Sequence, residues 1–144
     1  MNKNSIVASL LASLISMPAW GQATVGEVLD AGGKALSKEE VMALFPGANV
    51  SGPTAGGGQM SRNLKSDGTF TGNVGTAMGK NAPQTGQWKV EENGSICITS
   101  NTRFRETSAS NTSCGFFYKL GSKYFAAVDG GERGTRVLER SISK

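Results

Sequence analysis

The sequence predicts a mainly β domain, a small antiparallel meander or barrel that carries two short N-terminal helices. Three observations point to it. From Gln59 onward the chain divides into short segments, each closed by a turn signal. The 20 glycines among 144 residues exceed the usual share of about 7%, and they stand beside Asn, Asp and Ser with no triplet period. Asn93-Gly94 lies between apolar stretches, the strongest short-range hairpin signal.

In chain order, residues 1–21 read as a secretory signal peptide. Lys3 supplies a positive start, and Ile6 to Ile15 form an apolar run too short to span a bilayer. Pro18 ends that run, and Ala19 and Gly21 put small residues where a signal peptidase reads. No cysteine follows the run, so a lipoprotein anchor is excluded. The mature chain is expected to begin at Gln22, with Thr24 as the second candidate, and to reside in the periplasm or outside the cell.

Residues 22–50 read as a helical segment. Thr24 and Glu27 have the form of a capping box, Val25, Val28 and Leu29 share one face, and Gly32-Gly33 ends the helix. A second box, Ser37 with Glu40, opens a helix whose buried stripe is Val41, Leu44 and Phe45. Leu36 and Val41 are placed to form its hydrophobic staple, and Pro46-Gly47 stops it. Helices this short must dock on something to persist. Residues 51–58, Ser-Gly-Pro-Thr-Ala-Gly-Gly-Gly, read as a flexible linker.

Residues 59–144 are expected to hold the meander. Strands are predicted over 59–65, 69–77, 84–91, 95–100, 115–120, 123–129 and 135–142, with 78–83 as a loop. Residues 101–113 read as a polar loop or irregular strand. Six or seven antiparallel strands make a small closed barrel or a strongly bent sheet, and closure would remove exposed edges. Phe70, Trp88, Phe104, Phe116, Phe117, Tyr118, Tyr124 and Phe125 are the expected interior anchors.

After the signal, about 120 residues suffice for one domain with one modest core. The formal net charge of the whole chain is +4. It is uneven, −1 over residues 22–94 and +4 over residues 95–144, a mild preference of the second half for anionic partners. Nucleic acid is not an expected partner, because the basic residues alternate with acidic ones and an exported protein rarely meets it. Cys97 and Cys114 are an even pair in an oxidising compartment and read as a disulfide closing a loop of 17 residues. A reactive or metal-binding pair would want a Cys-x-x-Cys spacing or a nearby histidine, and neither is present.

Histidine is absent from the sequence. That removes Ser-His-Asp and Cys-His catalysis and histidine-based metal sites. No catalytic residue, metal site or cofactor is expected. Asp67, Glu91, Glu92, Glu106, Asp129 and Glu132 all fall in the sheet region, but Asp67, Glu92 and Asp129 sit at turns, where carboxylates ordinarily bond backbone amides. Gly75 to Asn81 falls one residue short of a phosphate-binding loop and lacks its final Ser or Thr. Gly56 to Ser61 lacks the third glycine of a dinucleotide fingerprint.

Two features carry a functional reading beside a structural one. Trp88 in mid-strand is either a core anchor or the floor of a binding site. Arg103 and Arg105 alternate on one face, where they either bind an anion or keep an edge strand soluble. With Lys123 and Arg133 at strand ends, these residues form the candidate ligand-binding set.

Gly86-x-Trp88, Asn93-Gly94, Cys97, then Cys114 shortly before Tyr118-Lys119-Leu120-Gly121 and Tyr124, resemble an uncharacterised proteobacterial family of small exported domains of unknown function. The helix from Ser37 to Phe45 and the turn Ser66-Asp67-Gly68-Thr69 resemble its N-terminal part. The resemblance implies a lipocalin-like β-domain in the periplasm or outside the cell and offers no catalytic residues. Three functions remain open. The chain is read first as a cell-envelope binding module without catalytic activity, holding a small ligand, glycan or protein. The second reading is an inhibitor or immunity-type protein that blocks a partner enzyme with the disulfide-closed loop. The third is a hydrolase using carboxylates alone, which would need two of them in one cleft with one pKa raised.

Overall fold

The computed structural model describes residues 23–127 and 129–144, so the signal peptide read from residues 1–21 lies outside the described residues. Helices α1 (Val25–Asp30) and α2 (Lys38–Leu44) form where the two capping boxes predict them. In each, the hydroxyl of Thr24 or Ser37 accepts from the backbone N–H three residues on, and Glu27 or Glu40 reaches back to the cap's own N–H.

The remaining elements are ten strands: β1 (Lys34–Ala35), β2 (Asn49–Pro53), β3 (Gln59–Leu64), β4 (Thr69–Gly75), β5 (Asn81–Val90), β6 (Ile96–Phe104), β7 (Thr107–Gly115), β8 (Phe117–Leu120), β9 (Lys123–Ala127) and β10 (Val137–Ser143). They make one antiparallel sheet in the order β1-β8-β9-β10-β2-β3-β4-β5-β6-β7, curled into a half-barrel. β1 and β7 are its edges, so the curl is a bent sheet rather than a closed barrel.

The differences from expectation have local causes. The glycine-rich stretch after Val50 is not a free linker: β2 pairs with both β10 and β3. Gly52 is what permits this, since a Cβ there would lie 2.5 Å from the Glu139 carbonyl oxygen. The stretch then turns tightly, with Thr54 N–H donating to the Gly58 carbonyl at 2.9 Å. Residues 81–83 are strand rather than loop. Pro83 is tolerated because β5 pairs with β6 only from Gln84 onward, so its missing N–H falls on an unpaired side. Residues 101–113 complete a long hairpin, β6 and β7, that turns at Arg105-Glu106 with Arg105 at φ 51°. Phe104 sits beside that turn and is 46% exposed, so it is not an interior anchor.

Two apolar clusters hold the fold. Inside the curl, α2 lays Val41 and Phe45 against Leu64, Phe70, Trp88, Ile96 and Phe117, with Phe45 and Phe117 edge to face at 4.8 Å. On the other side, α1 covers Tyr118, Phe125 and Val137 with Val25 and Val28. β8, β9 and β10 are therefore sandwiched, which is why neighbours such as Phe117 and Tyr118, or Val137 and Leu138, are both buried. No helix among the described residues is long and apolar enough to cross a membrane.

Candidate functional site

The concave face of the curl is not filled throughout. At the α2 end it is packed, with Phe45, Leu64 and Ile96 at 3% exposure or less. Beyond them a cleft of ≈ 390 Å³ opens to solvent, within the range of about 300–1,000 Å³ usual for small-molecule sites. Its walls include Met60, Val74, Ile98, Phe117, Ala126 and Leu138, and exposed Ala55, Asn111 and Asp129 stand at its rim.

Strand alternation places two arginines in this cleft. On β3, Arg62 is in phase with the inward residues Met60 and Leu64. On β10, Arg140 is in phase with Leu138 and Ile142. Register then builds a polar row across the concave face, because Arg62 faces Gly72 of β4, Gly72 faces Gln84 of β5, and Gln84 faces Thr102 of β6. Gly72 leaves the space over which the arginine reaches. Arg62 Nε donates to Gln84 Oε1 at 3.0 Å, and Gln84 Nε2 donates to Thr102 Oγ1 at 3.0 Å. The guanidinium lies 5.3 Å from the Phe70 ring centroid. Arg140 lies over the glycine of β2, where a Cβ at Gly52 would come within 2.9 Å of Nη1. Its Nη1 donates to the carbonyl oxygens of Pro53 at 2.7 Å and Glu139 at 3.0 Å.

Neither guanidinium has an acidic partner among the described residues. The ion pairs among the described residues join Lys34 to Glu40, Lys38 to Glu92, Lys89 to Glu91, Lys123 to Glu139 and Arg133 to Asp30. Burial lowers the pKa of Arg62 below its ordinary value, and burial together with the nearby Arg62 charge pushes Arg140 down to about 10. A partly desolvated pair of like charges is unfavourable until a counter-charge arrives. Asp129 lines the same cleft without reaching either arginine to within 4.0 Å.

The residues singled out from the sequence lie elsewhere. Trp88 is 7% exposed in the apolar cluster under α2, and its Nε1 donates to the Lys65 carbonyl at 3.0 Å. Arg103 and Arg105 are exposed at the β6–β7 turn. Lys123, at the start of β9, pairs with Glu139 at 3.4 Å, and Arg133, on the turn before β10, pairs with Asp30 at 2.6 Å. The structure does not bring these residues together, and none lines the cleft. The disulfide joins Cys97 and Cys114, which face each other across β6 and β7 with Cα atoms 4.0 Å apart.

Among the described residues no group of three or more Cys, Asp or Glu side chains is placed to share a metal ion. No curated protein and no solved structure shows significant similarity to the chain. The model of a family described as protein of unknown function, DUF995, matches residues 11–129, and the chain belongs to that family.

Proposed function

We propose that this DUF995 member is an exported binding module of the cell envelope, without catalytic activity, that takes its ligand into the cleft of the half-barrel. The observation that carries the reading is the open cleft holding two arginines with no carboxylate partner among the described residues. Export is supported by the signal-like residues 1–21 and by the formed disulfide. The non-catalytic reading is supported by the lack of histidine and by the state of Asp67. Asp67, which accepts from the Thr69 N–H and hydroxyl, is held below its ordinary pKa, the reverse of what a general acid needs.

A second reading, an inhibitor or immunity-type protein, is favoured by the β6–β7 hairpin. Strand β7 is exposed along its length up to Gly115 and is fastened near its base by the disulfide. Native mass spectrometry of the chain recovered from its own envelope separates the two. Cleft binding predicts a mature start near Gln22 and a small-molecule adduct that is absent from a cleft-filling Met60→Trp variant. A protein adduct, lost when Arg103 and Arg105 are changed to Glu, would favour the second reading and overturn the first.

A further inference from the structure

Resting on the cleft reading, we propose that its ligand is a single-headed organic anion with an apolar body, a carboxylate on an aliphatic chain, with the carboxylate held between Arg62 and Arg140. Strands β3 and β10 are separated only by β2, so their axes lie about 10 Å apart. Both guanidiniums line the one cleft, Arg62 held towards β4 and β5 by Phe70 and Gln84 and Arg140 lying over β2 at Pro53, so a head group in the cleft sits between them. Each has donors to spare. Gln84 occupies only Nε of Arg62, and the carbonyls of Pro53 and Glu139 occupy only Nη1 of Arg140. A carboxylate accepts such donors in pairs, with the planar geometry that guanidinium offers.

Charge fixes the number of heads. Two arginines and one rim carboxylate, Asp129, leave one net positive charge in the cleft. That balances a monoanion. Asp129 opposes a second negative group.

The walls fix the rest of the ligand. The polar row that holds Arg62 is flanked by apolar rows on both sides: Met60 faces Val74 and Val74 faces Ala82, while Leu64 faces Phe70. Across the cleft stand Ile98, Phe117 and Leu138. A bare inorganic anion would satisfy the arginines and leave these surfaces wet. An aliphatic chain beyond the carboxylate covers them, at about 25 cal/mol for each Å² of apolar surface removed from water. Gly52 belongs to the same device, since a Cβ there would lie 2.9 Å from Arg140 Nη1 and crowd the guanidinium.

Calorimetric titration of the mature chain with decanoate, decanol and inorganic phosphate tests this without any variant. Decanoate should bind at least tenfold more tightly than decanol and at least a hundredfold more tightly than phosphate. Changing Arg62 and Arg140 together to Met should bring decanoate within about threefold of decanol. The milder Arg140→Lys change should weaken it less while keeping the contact to Pro53 available. Equal binding of decanoate and decanol would overturn the anionic head, and equal binding of phosphate would overturn the apolar body. Failure of all three probes, with a native adduct that Met60→Trp removes, would overturn the ligand class and leave the cleft standing. Failure of all three with no such adduct would overturn the cleft reading itself.

Discussion

Removing the disulfide should lower stability by an amount that the loop length sets. Cys97 and Cys114 close a loop of 17 residues in sequence, and chain entropy alone assigns such a link about 3 kcal/mol at 25 °C. Unfolding a domain of about 120 residues releases about 0.25 kcal/mol per kelvin near 60 °C. The melting temperature of a Cys97→Ala/Cys114→Ala variant should therefore fall by about 12 °C. The structure adds a location. β7 is an edge strand whose ladder is with β6, apart from a single bridge from its last residue, Gly115, to Gly130, and the bond joins residues already opposite each other in that ladder, next but one to the Thr99–Thr112 hydroxyl contact of 2.9 Å. Loss of the bond should thus free β7 first. Far-UV circular dichroism melts give the magnitude, and amide hydrogen exchange gives the place. A fall smaller than about 3 °C, or exchange that rises evenly through the sheet, would refute the reasoning, as would two free thiols in the unreduced denatured chain.

The remaining predictions concern single side chains. In the mature chain lacking residues 1–21, Trp88 is the sole tryptophan, so native emission should lie well to the blue of hydrated indole. Trp88→Phe should cost about 2 kcal/mol in urea unfolding by leaving the Lys65 carbonyl without its donor. Gly86→Ala should cost about 3 kcal/mol or prevent folding, because its Cβ would fall 1.9 Å from the Thr99 carbonyl oxygen and 2.8 Å from the Phe70 ring. Gly134→Ala, where a Cβ meets open space, should stay within about 0.5 kcal/mol of the parent. Ser37→Ala should cost about 1 kcal/mol through loss of the α2 cap. Glu40 is held below its ordinary pKa, chiefly by the Ser37 N–H and then by Lys34. Its stabilising effect is therefore complete above the ordinary carboxylate range and disappears as pH falls through the lowered folded value. Glu40→Gln should flatten the acid side of a stability–pH curve, and an unchanged curve would count against the box.

Local chemistry made much of the fold legible. Capping boxes depend on residues three apart, so both helices could be read to within a residue or two at each end. The hairpin closed by Asn93-Gly94 is equally plain. What escaped was pairing that depends on distant chain. Asn49–Pro53 is drawn into the sheet between its neighbour β3 and β10, whose partner residues lie about ninety positions later. Residues 101–113 are too polar to read firmly as strand, because β7 is solvated on both faces and the inward side of β6 there carries Thr102 of the polar row. The arginines of the cleft are hidden in the sequence for a related reason. Arg103 and Arg105 stand together in sequence, whereas the pair in the cleft is assembled by register from strands nearly eighty residues apart. A usable signal was present nonetheless. Arg62 stands in phase with Met60 and Leu64, and Arg140 with Leu138 and Ile142, so each puts a charge on the apolar face of its strand. A charge in that phase is costly unless something pairs with it.

The most direct measurement follows the arginine side-chain Nε–H signals of the mature chain by nitrogen-edited NMR as decanoate is added. Arg62 and Arg140 should shift together and saturate at one equivalent, while Arg103, Arg105, Arg133 and Arg136 stay in place. Shifts centred on Arg103 and Arg105, or a set of Nε signals that decanoate leaves unmoved, would contradict an anion site inside the half-barrel.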